Sequence, residues 1–318
     1  MSRPVRRQAI FAATAVLAIA GCNAEQDAIA PDLAADTANL PATDIYLAPL
    51  SVGEDGAEVG TFRAVAATPG YDNQPSFLPG EATFYYVSEG ESGKTDIWRY
   101  DIETDEATRL HDSPSVSEFS PKAAPAGLGV SYIQENEAAD VTRVHHAPAT
   151  GGPGEAVIDF APLGYYAWLG AGDTLAVYLR GEPPSLHLVA VASGETRRIA
   201  ENIGRSLHPT PDGRGLYFTQ ANAEDGYRVM VFDMADDAVS PIVDLPDGVE
   251  DFAVLFSAGG ALRGLFAGSG PMLYFAEAGG DEFEWKPAGA FFAQGVKNVT
   301  RIALSDGGAW IAVVTDAE

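Results

Sequence analysis

Cysteine is almost absent from this sequence: Cys22 is the only one in 318 residues. A single cysteine closes no internal disulfide, so the fold must be held by its apolar core. Positive charge is scarce as well. There are 19 lysines and arginines against 45 aspartates and glutamates, a formal net charge of −26. Such a surface repels phosphate backbones, which argues against nucleic acid as a partner. It also offers no electrostatic attraction to anionic lipid headgroups. The apolar run QAIFAATAVLAIA at 8–20 is shorter than the roughly 20 residues of a membrane-spanning helix. No Gly-x-Ser-x-Gly nucleophile elbow is found; Ser269 in AGSGP lacks that spacing and falls where a hairpin loop belongs.

What is present begins at the amino end. Arg3, Arg6 and Arg7 precede the apolar run, and Ile19-Ala20-Gly21-Cys22 follows it. A charged start, a short apolar region and small residues describe a secretory signal. The Ile-Ala-Gly-Cys tetrapeptide resembles the lipobox of bacterial lipoproteins. That resemblance implies cleavage before Cys22, acylation of the cysteine and a membrane anchor through its lipid. Asn23 stands where an aspartate would resemble an inner-membrane retention signal, so the outer membrane is the expected site. Residues 1–21 are thus read as signal peptide and 22–42, rich in Ala, Asp and Asn, as a flexible tether. Removing the signal takes away three arginines and no acid, which leaves the mature chain near −29.

From residue 43 the chain repeats. Residues 71–110 read as four short strands joined by tight turns: YDNQPSF, then TFYYVS after Leu78-Pro79-Gly80, then DIWRYD, then ATRL. One such sheet cannot bury both faces alone, but radially stacked copies can. The turn recurs near Ser120, Leu169, Thr210, Ser257 and Ser305, 41 to 49 residues apart, each time before an apolar strand. At the carboxyl end only two strands follow the last repeat start. At 43–50 (TDIYLAPL) and 61–66 (TFRAVA) lie a third and a fourth strand without partners. The predicted fold is all-β: a six-bladed β-propeller of four-stranded blades over 43–318, closed by strands from both termini, with about 46 residues per blade.

The repeat resembles the TolB-type propeller, whose consensus is a first strand, Ser-Pro-Asp-Gly, an apolar strand, Asp-Ile-Tyr and a short outer strand. Pro75–Leu110 matches best. Pro211-Asp212-Gly213 and Ser305-Asp306-Gly307 match its turn, and Asp44-Ile45-Tyr46 repeats Asp96-Ile97-Trp98. The stretches 115–160 and 248–295 are degenerate. TolB proteins are periplasmic and bind protein within an envelope complex. The α/β domain that precedes their propeller has no counterpart in 43–318, so a TolB role does not carry over; the resemblance implies the fold and a binding function, and the expected partner is an unidentified envelope protein.

First strands of propeller blades line the axis, so their residues converge from distant parts of the chain. The candidate ligand-binding residues there are Asn73, Gln74, Glu118, Tyr165, His208 and Arg301. They suit a small polar ligand, a cation, or simply a wet polar lining. His145 and His146 are adjacent on a strand and point to opposite faces. The acids Asp233, Asp236 and Asp237, and Asp244, Asp247, Glu250 and Asp251, lack the order of a calcium loop and read as solvated loop acids. No catalytic set or cofactor is expected, calcium being the one ion left open. The reading is a non-enzymatic, lipid-anchored binding propeller in the cell envelope. The competing one is a polysaccharide lyase, or a lactone or peptide hydrolase, working at the channel mouth. Some related lyases hold a metal there through histidines, and only His208 is suitably placed here.

Replacing the thiol tests the anchor. Cys22→Ser is expected to abolish incorporation of radiolabelled palmitate; equal labelling of mutant and wild type would contradict the lipobox reading.

Overall fold

In a computed structural model, residues 40–53, 56–136, 141–160, 162–224, 226–279 and 283–317 are described. The signal, Cys22 and the tether up to residue 39 lie outside the described residues. Among the described residues no helix is long and apolar enough to cross a membrane.

Six antiparallel sheets form the structure. Blade 1 comprises Asp72–Phe77, Thr83–Glu89, Thr95–Asp101 and Glu106–Arg109. Blade 2 comprises Ser117–Ala123, Val130–Glu135, Thr142–Ala147 and Glu155–Asp159. Blade 3 runs through Leu163–Leu169, Thr174–Leu179, Ser185–Ala190 and Thr196–Glu201, and blade 4 through Ile203–Pro209, Gly215–Ala221, Tyr227–Asp233 and Ala238–Asp244. Blade 5 has Phe252–Phe256, Leu262–Ser269, Met272–Glu277 and Lys286–Ala290. The first strands of successive blades touch one another around a ring that returns from blade 6 to blade 1. The six-bladed propeller expected from the repeats is therefore the observed fold, and both degenerate stretches form complete blades.

Blade 6 is shared by the two ends of the chain. Val299–Leu304 and Trp310–Asp316 supply its inner half, and Thr43–Gly53 and Arg63–Ala66 its outer half. Thr43–Pro49 pairs with Trp310–Asp316 in unbroken register, Ile45 opposite Val314 and Leu47 opposite Ala312. One feature was not expected: Gly56–Val59 folds back on Leu50–Gly53 as an added hairpin, so the outer strand starts at Arg63 rather than at residue 61.

Burial follows position along each blade. The second strand of blade 1, TFYYVSE, is buried at every position but its last, because neighbouring blades cover both of its faces. This is why the second strands read as continuous apolar runs rather than alternating ones. The outer strand EATR is exposed throughout. The core lies between blades. Phe84, Tyr86 and Tyr100 of blade 1 pack on Ile45, Leu47, Ala312 and Val314 of blade 6. Hydroxyls at the starts of third strands fasten one blade to the first strand of the next: Thr43 Oγ1 donates to the Asp72 carbonyl at 2.9 Å, and Thr95 Oγ1 to that of Glu118 at 2.8 Å.

Ile45 is fully buried on the closing strand. Ile45→Ala is expected to cost about 2–5 kcal/mol, the usual range for such a cavity, read from urea unfolding. A loss under about 1 kcal/mol would place Ile45 outside the blade 6–blade 1 core.

Candidate functional site

The axial channel is crossed by a bar. Tyr165 on the first strand of blade 3 and Arg301 on that of blade 6 come from opposite sides of the ring. The guanidinium carbon lies 5.4 Å from the tyrosine ring centroid, and a guanidinium nitrogen donates to the phenol oxygen at 3.4 Å. A cation over an aromatic face contributes about 0.5–2 kcal/mol, depending on desolvation. Gln74, Tyr165, Arg205 and Arg301 border cavities on both sides of the bar. The upper cavity, of about 180 Å³, lies toward the ends of the first strands, where Lys122, Ser206, His208 and Asp251 line it. The lower cavity, of about 470 Å³, lies at their beginnings and is bordered by Leu40, Pro41, Tyr71, Asn73 and Asp316. Leu40 packs on the cluster that contains Tyr71, Phe119 and Leu163.

Irregular backbone aims these side chains. In blades 1, 2, 3 and 6 the first strand carries one extra residue relative to its neighbour, with register shifts at Asn73/Ser76, Phe119/Lys122, Leu163/Tyr165 and Val299/Arg301. Gln74 and Ser120 sit in these bulges with φ of +57° and +53°, a left-handed conformation uncommon for non-glycine residues. Bulges of this kind re-aim side chains and cluster beside functional sites.

They also explain one miss. Glu118, expected at the channel mouth, does not line either cavity. An extra residue reverses side-chain alternation beyond it, so Lys122 faces the channel and Glu118 turns into the blade 1–blade 2 interface. There Glu118 is buried, 2.8 Å from His111 Nδ1, and accepts from Ser113 Oγ at 3.0 Å. Gln74, Tyr165, His208 and Arg301 converge on the channel as expected. Asn73 joins them from the lower side: its Oδ1 accepts from the Gln74 amide at 2.8 Å and from Arg301 Nε at 3.2 Å.

Two further acids were misplaced by the sequence reading. Glu250 and Asp251 are not solvated loop acids; they border the channel and stitch three blades together. Glu250 accepts from the Arg205 amide of blade 4 at 2.9 Å. Asp251 accepts from Ser206 Oγ of blade 4 and from the Ile302 amide of blade 6, the latter at 2.9 Å. Lys122, Arg205 and Asp251 were not anticipated as lining residues. The available signal was position alone, since Asp251 directly precedes the first strand of blade 5. Asp244, from the same acidic stretch, is held at 2.7 Å by both Nε and a terminal nitrogen of Arg228. Among the described residues no group of three His, Cys, Asp or Glu side chains is arranged to hold a metal ion.

The upper cavity is electropositive in a strongly acidic protein. Burial, reinforced by Arg301, pushes the Lys122 ammonium down to about 8, with Asp251 opposing; it remains largely charged at neutral pH. Burial pushes His208 down to about 4, and Lys122 and Arg301 add to the effect. His208 Nε2 lies 2.7 Å from the Phe252 carbonyl. A carbonyl only accepts, so Nε2 carries the proton and Nδ1 is left as an acceptor.

No protein-family model matches the chain, and no curated protein matches it. Solved structures do. It is similar to a putative TolB from Agrobacterium tumefaciens at 15% identity and a TM-score of 0.64, over 87% of this chain and 99% of that one. TolB from Acinetobacter baumannii gives 12% and 0.55, over 87% of this chain and 64% of that one. A gluconolactonase from Xanthomonas campestris gives 13% and 0.57, over 87% and 96%. At these identities the likeness is one of fold.

A histidine held neutral by burial makes stability depend on pH with a definite sign. The folded value, about 4, lies below the unfolded value of about 6.5. As pH falls from 6.5 towards 4 the unfolded chain takes up a proton that the native state refuses, so stability is lost in that window. NMR titration is expected to show His208 neutral at pH 5.5, and His208→Gln to flatten that part of the stability profile. A His208 midpoint near 6.5 would contradict the buried, carbonyl-bound geometry.

Proposed function

We propose that this chain is an envelope lipoprotein, anchored through Cys22, whose propeller binds a partner protein and turns over no substrate. The observation that carries the reading is a groove on the face formed by the turns between first and second strands. It has a volume of about 730 Å³ and runs across blades 1, 2 and 3. Leu78, Pro79, Tyr85, Pro125, Ala126 and Trp168 line it. Leu128, on the same turn as Ala126, is 56% exposed. Apolar surface of this kind, set on a rigid scaffold, marks interaction sites.

The turns that build the groove are packed too closely to be rearranged cheaply. A Cβ on Gly172, whose φ is +93°, would lie 2.4 Å from Pro125 Cβ. Trp168 is fixed in place by its indole N–H, which donates to Ser131 Oγ at 2.8 Å. The groove therefore presents preformed walls, which lowers the ordering cost of association. It lies at the opposite end of the propeller from Leu40 and Pro41, which border the lower cavity. An apolar segment of an envelope protein suits its lining.

Support for a protein-binding role also comes from the fold shared with TolB. The gluconolactonase shares the same fold, so the assay includes lactones. Capture of a partner from detergent-solubilised envelopes is expected to fall roughly thirtyfold for Trp168→Ala and for Leu128→Asp, as for loss of an interface hot spot of about 2 kcal/mol. Circular dichroism should show the fold kept. Turnover of a lactone, an acidic polysaccharide or a peptide by the wild-type protein, or capture insensitive to both substitutions, would overturn the reading.

A further inference from the structure

The upper channel cavity holds more positive charge than its own carboxylates satisfy. Among the described residues three cations border it, Lys122, Arg205 and Arg301, against one acid, Asp251. Arg205 is answered from below: Glu250 accepts from its backbone amide and lies 3.8 Å from its guanidinium Nε, and a terminal nitrogen donates to the Thr300 carbonyl at 2.7 Å. Lys122 and Arg301 are left with Asp251 as the carboxylate in the same wall, and it already accepts from Ser206 and from the Ile302 amide. Among the described residues Arg301 donates only to neutral partners, Asn73 Oδ1 and Tyr165 Oη. No described residue accepts a hydrogen bond from Lys122. The Ser120 hydroxyl in the same wall is buried and has no hydrogen-bond partner among the described residues. Half-buried cations and a buried hydroxyl left in this state are costly, and a protein of net charge −26 has no shortage of carboxylates with which to pair them.

We infer that the upper cavity is an anion-binding site that takes a small organic carboxylate between Lys122 and Arg301, with Ser120 donating a further hydrogen bond. With Asp251 cancelling one of the two cations, the site is one negative charge short, which fits a monocarboxylate. The space fits too. A cavity of about 180 Å³ corresponds to roughly six water molecules, enough for a few heavy atoms and below the range of drug-sized pockets. Arginine presents a planar fork that matches a carboxylate, and lysine adds a point charge. Neutral His208, its proton committed to the Phe252 carbonyl, adds no charge and offers Nδ1 as an acceptor. This suits a carboxylate that also carries a hydroxyl. The bar of Arg301 and Tyr165 closes the site below, so the ligand enters from the turn face. The site is separate from the apolar groove and does not depend on what the groove binds.

The test is calorimetric titration of the full-length protein with lactate, acetate, inorganic phosphate and chloride, with the His208 imidazole followed by NMR. Lactate and acetate are expected to bind with Kd of about 1 mM or tighter, to shift the His208 signals, and to outcompete chloride. Lys122→Met and Arg301→Gln should each weaken binding roughly 10- to 100-fold, the effect of losing a charge-assisted hydrogen bond. Ser120→Ala serves as the milder variant if either of these fails to fold, and should weaken binding severalfold with unchanged melting. Three results would overturn the proposal: no heat and no His208 shift with either carboxylate, phosphate or chloride bound more tightly than both, or carboxylate binding unchanged in the folded variants.

Discussion

The pairing of Thr43–Pro49 with Trp310–Asp316 is the contact on which the rest of the structure depends. Strands from opposite ends of the chain meet in one sheet, and only then does the ring of first strands close. Without that sheet, blades 1 and 5 would expose faces that are now buried, and two strand edges would be free to pair with other chains. The cost is the entropy of joining chain ends, which grows only slowly with the length of the loop. Against it stand the fully buried Ile45, Leu47, Ala312 and Val314. Arg301 sits on the first strand of this same blade, so the bar across the channel exists only when the two ends have met.

Charge is distributed with a purpose that follows from closure. The exterior carries most of the acids. At the axis two of them, Glu250 and Asp251, are used as mortar between blades 4, 5 and 6. Their hydrogen bonds hold the strands at fixed positions and leave Lys122 and Arg301 short of negative charge. The same irregular strands that bring those cations inward tilt Gln74 and Ser120 into the wall. A locally positive channel inside an acidic protein is the physical result, with a preformed apolar groove on the turns beside its mouth.

The architecture was legible in the sequence because it rests on signals that survive divergence. Apolar second strands such as TLAVYL and GLYFTQ are covered on both faces and cannot accept charge. The turns near Thr210 and Ser305 need residues that tolerate positive φ, as at Gly213 and Gly307. Even the shared blade could be read, since DIYLAP repeats DIWRYD. The site was legible only in part. First-strand membership was enough to bring Tyr165, His208 and Arg301 to the channel, although bulges aim the first and last of them. For Glu118 and Lys122 it was not, because one extra residue in a strand reverses the alternation that places them, and nothing in SEFSPK announces the bulge. Asp251 was lost for another reason: an acid beside other acids looks solvated until the neighbouring blades are drawn in. The groove was hidden as well, since it is assembled from turns of three blades.

Native-state hydrogen exchange of the Ile45, Leu47 and Val313 amides tests the closed ring most directly. If strands from both ends lock one cooperative ring, these amides exchange only through global unfolding, with the same free energy as the second strands of blades 2 to 4. Exchange of the three amides through a local opening well below that free energy, while the second strands stay protected, would show that the ring holds without its closing sheet and would contradict the account.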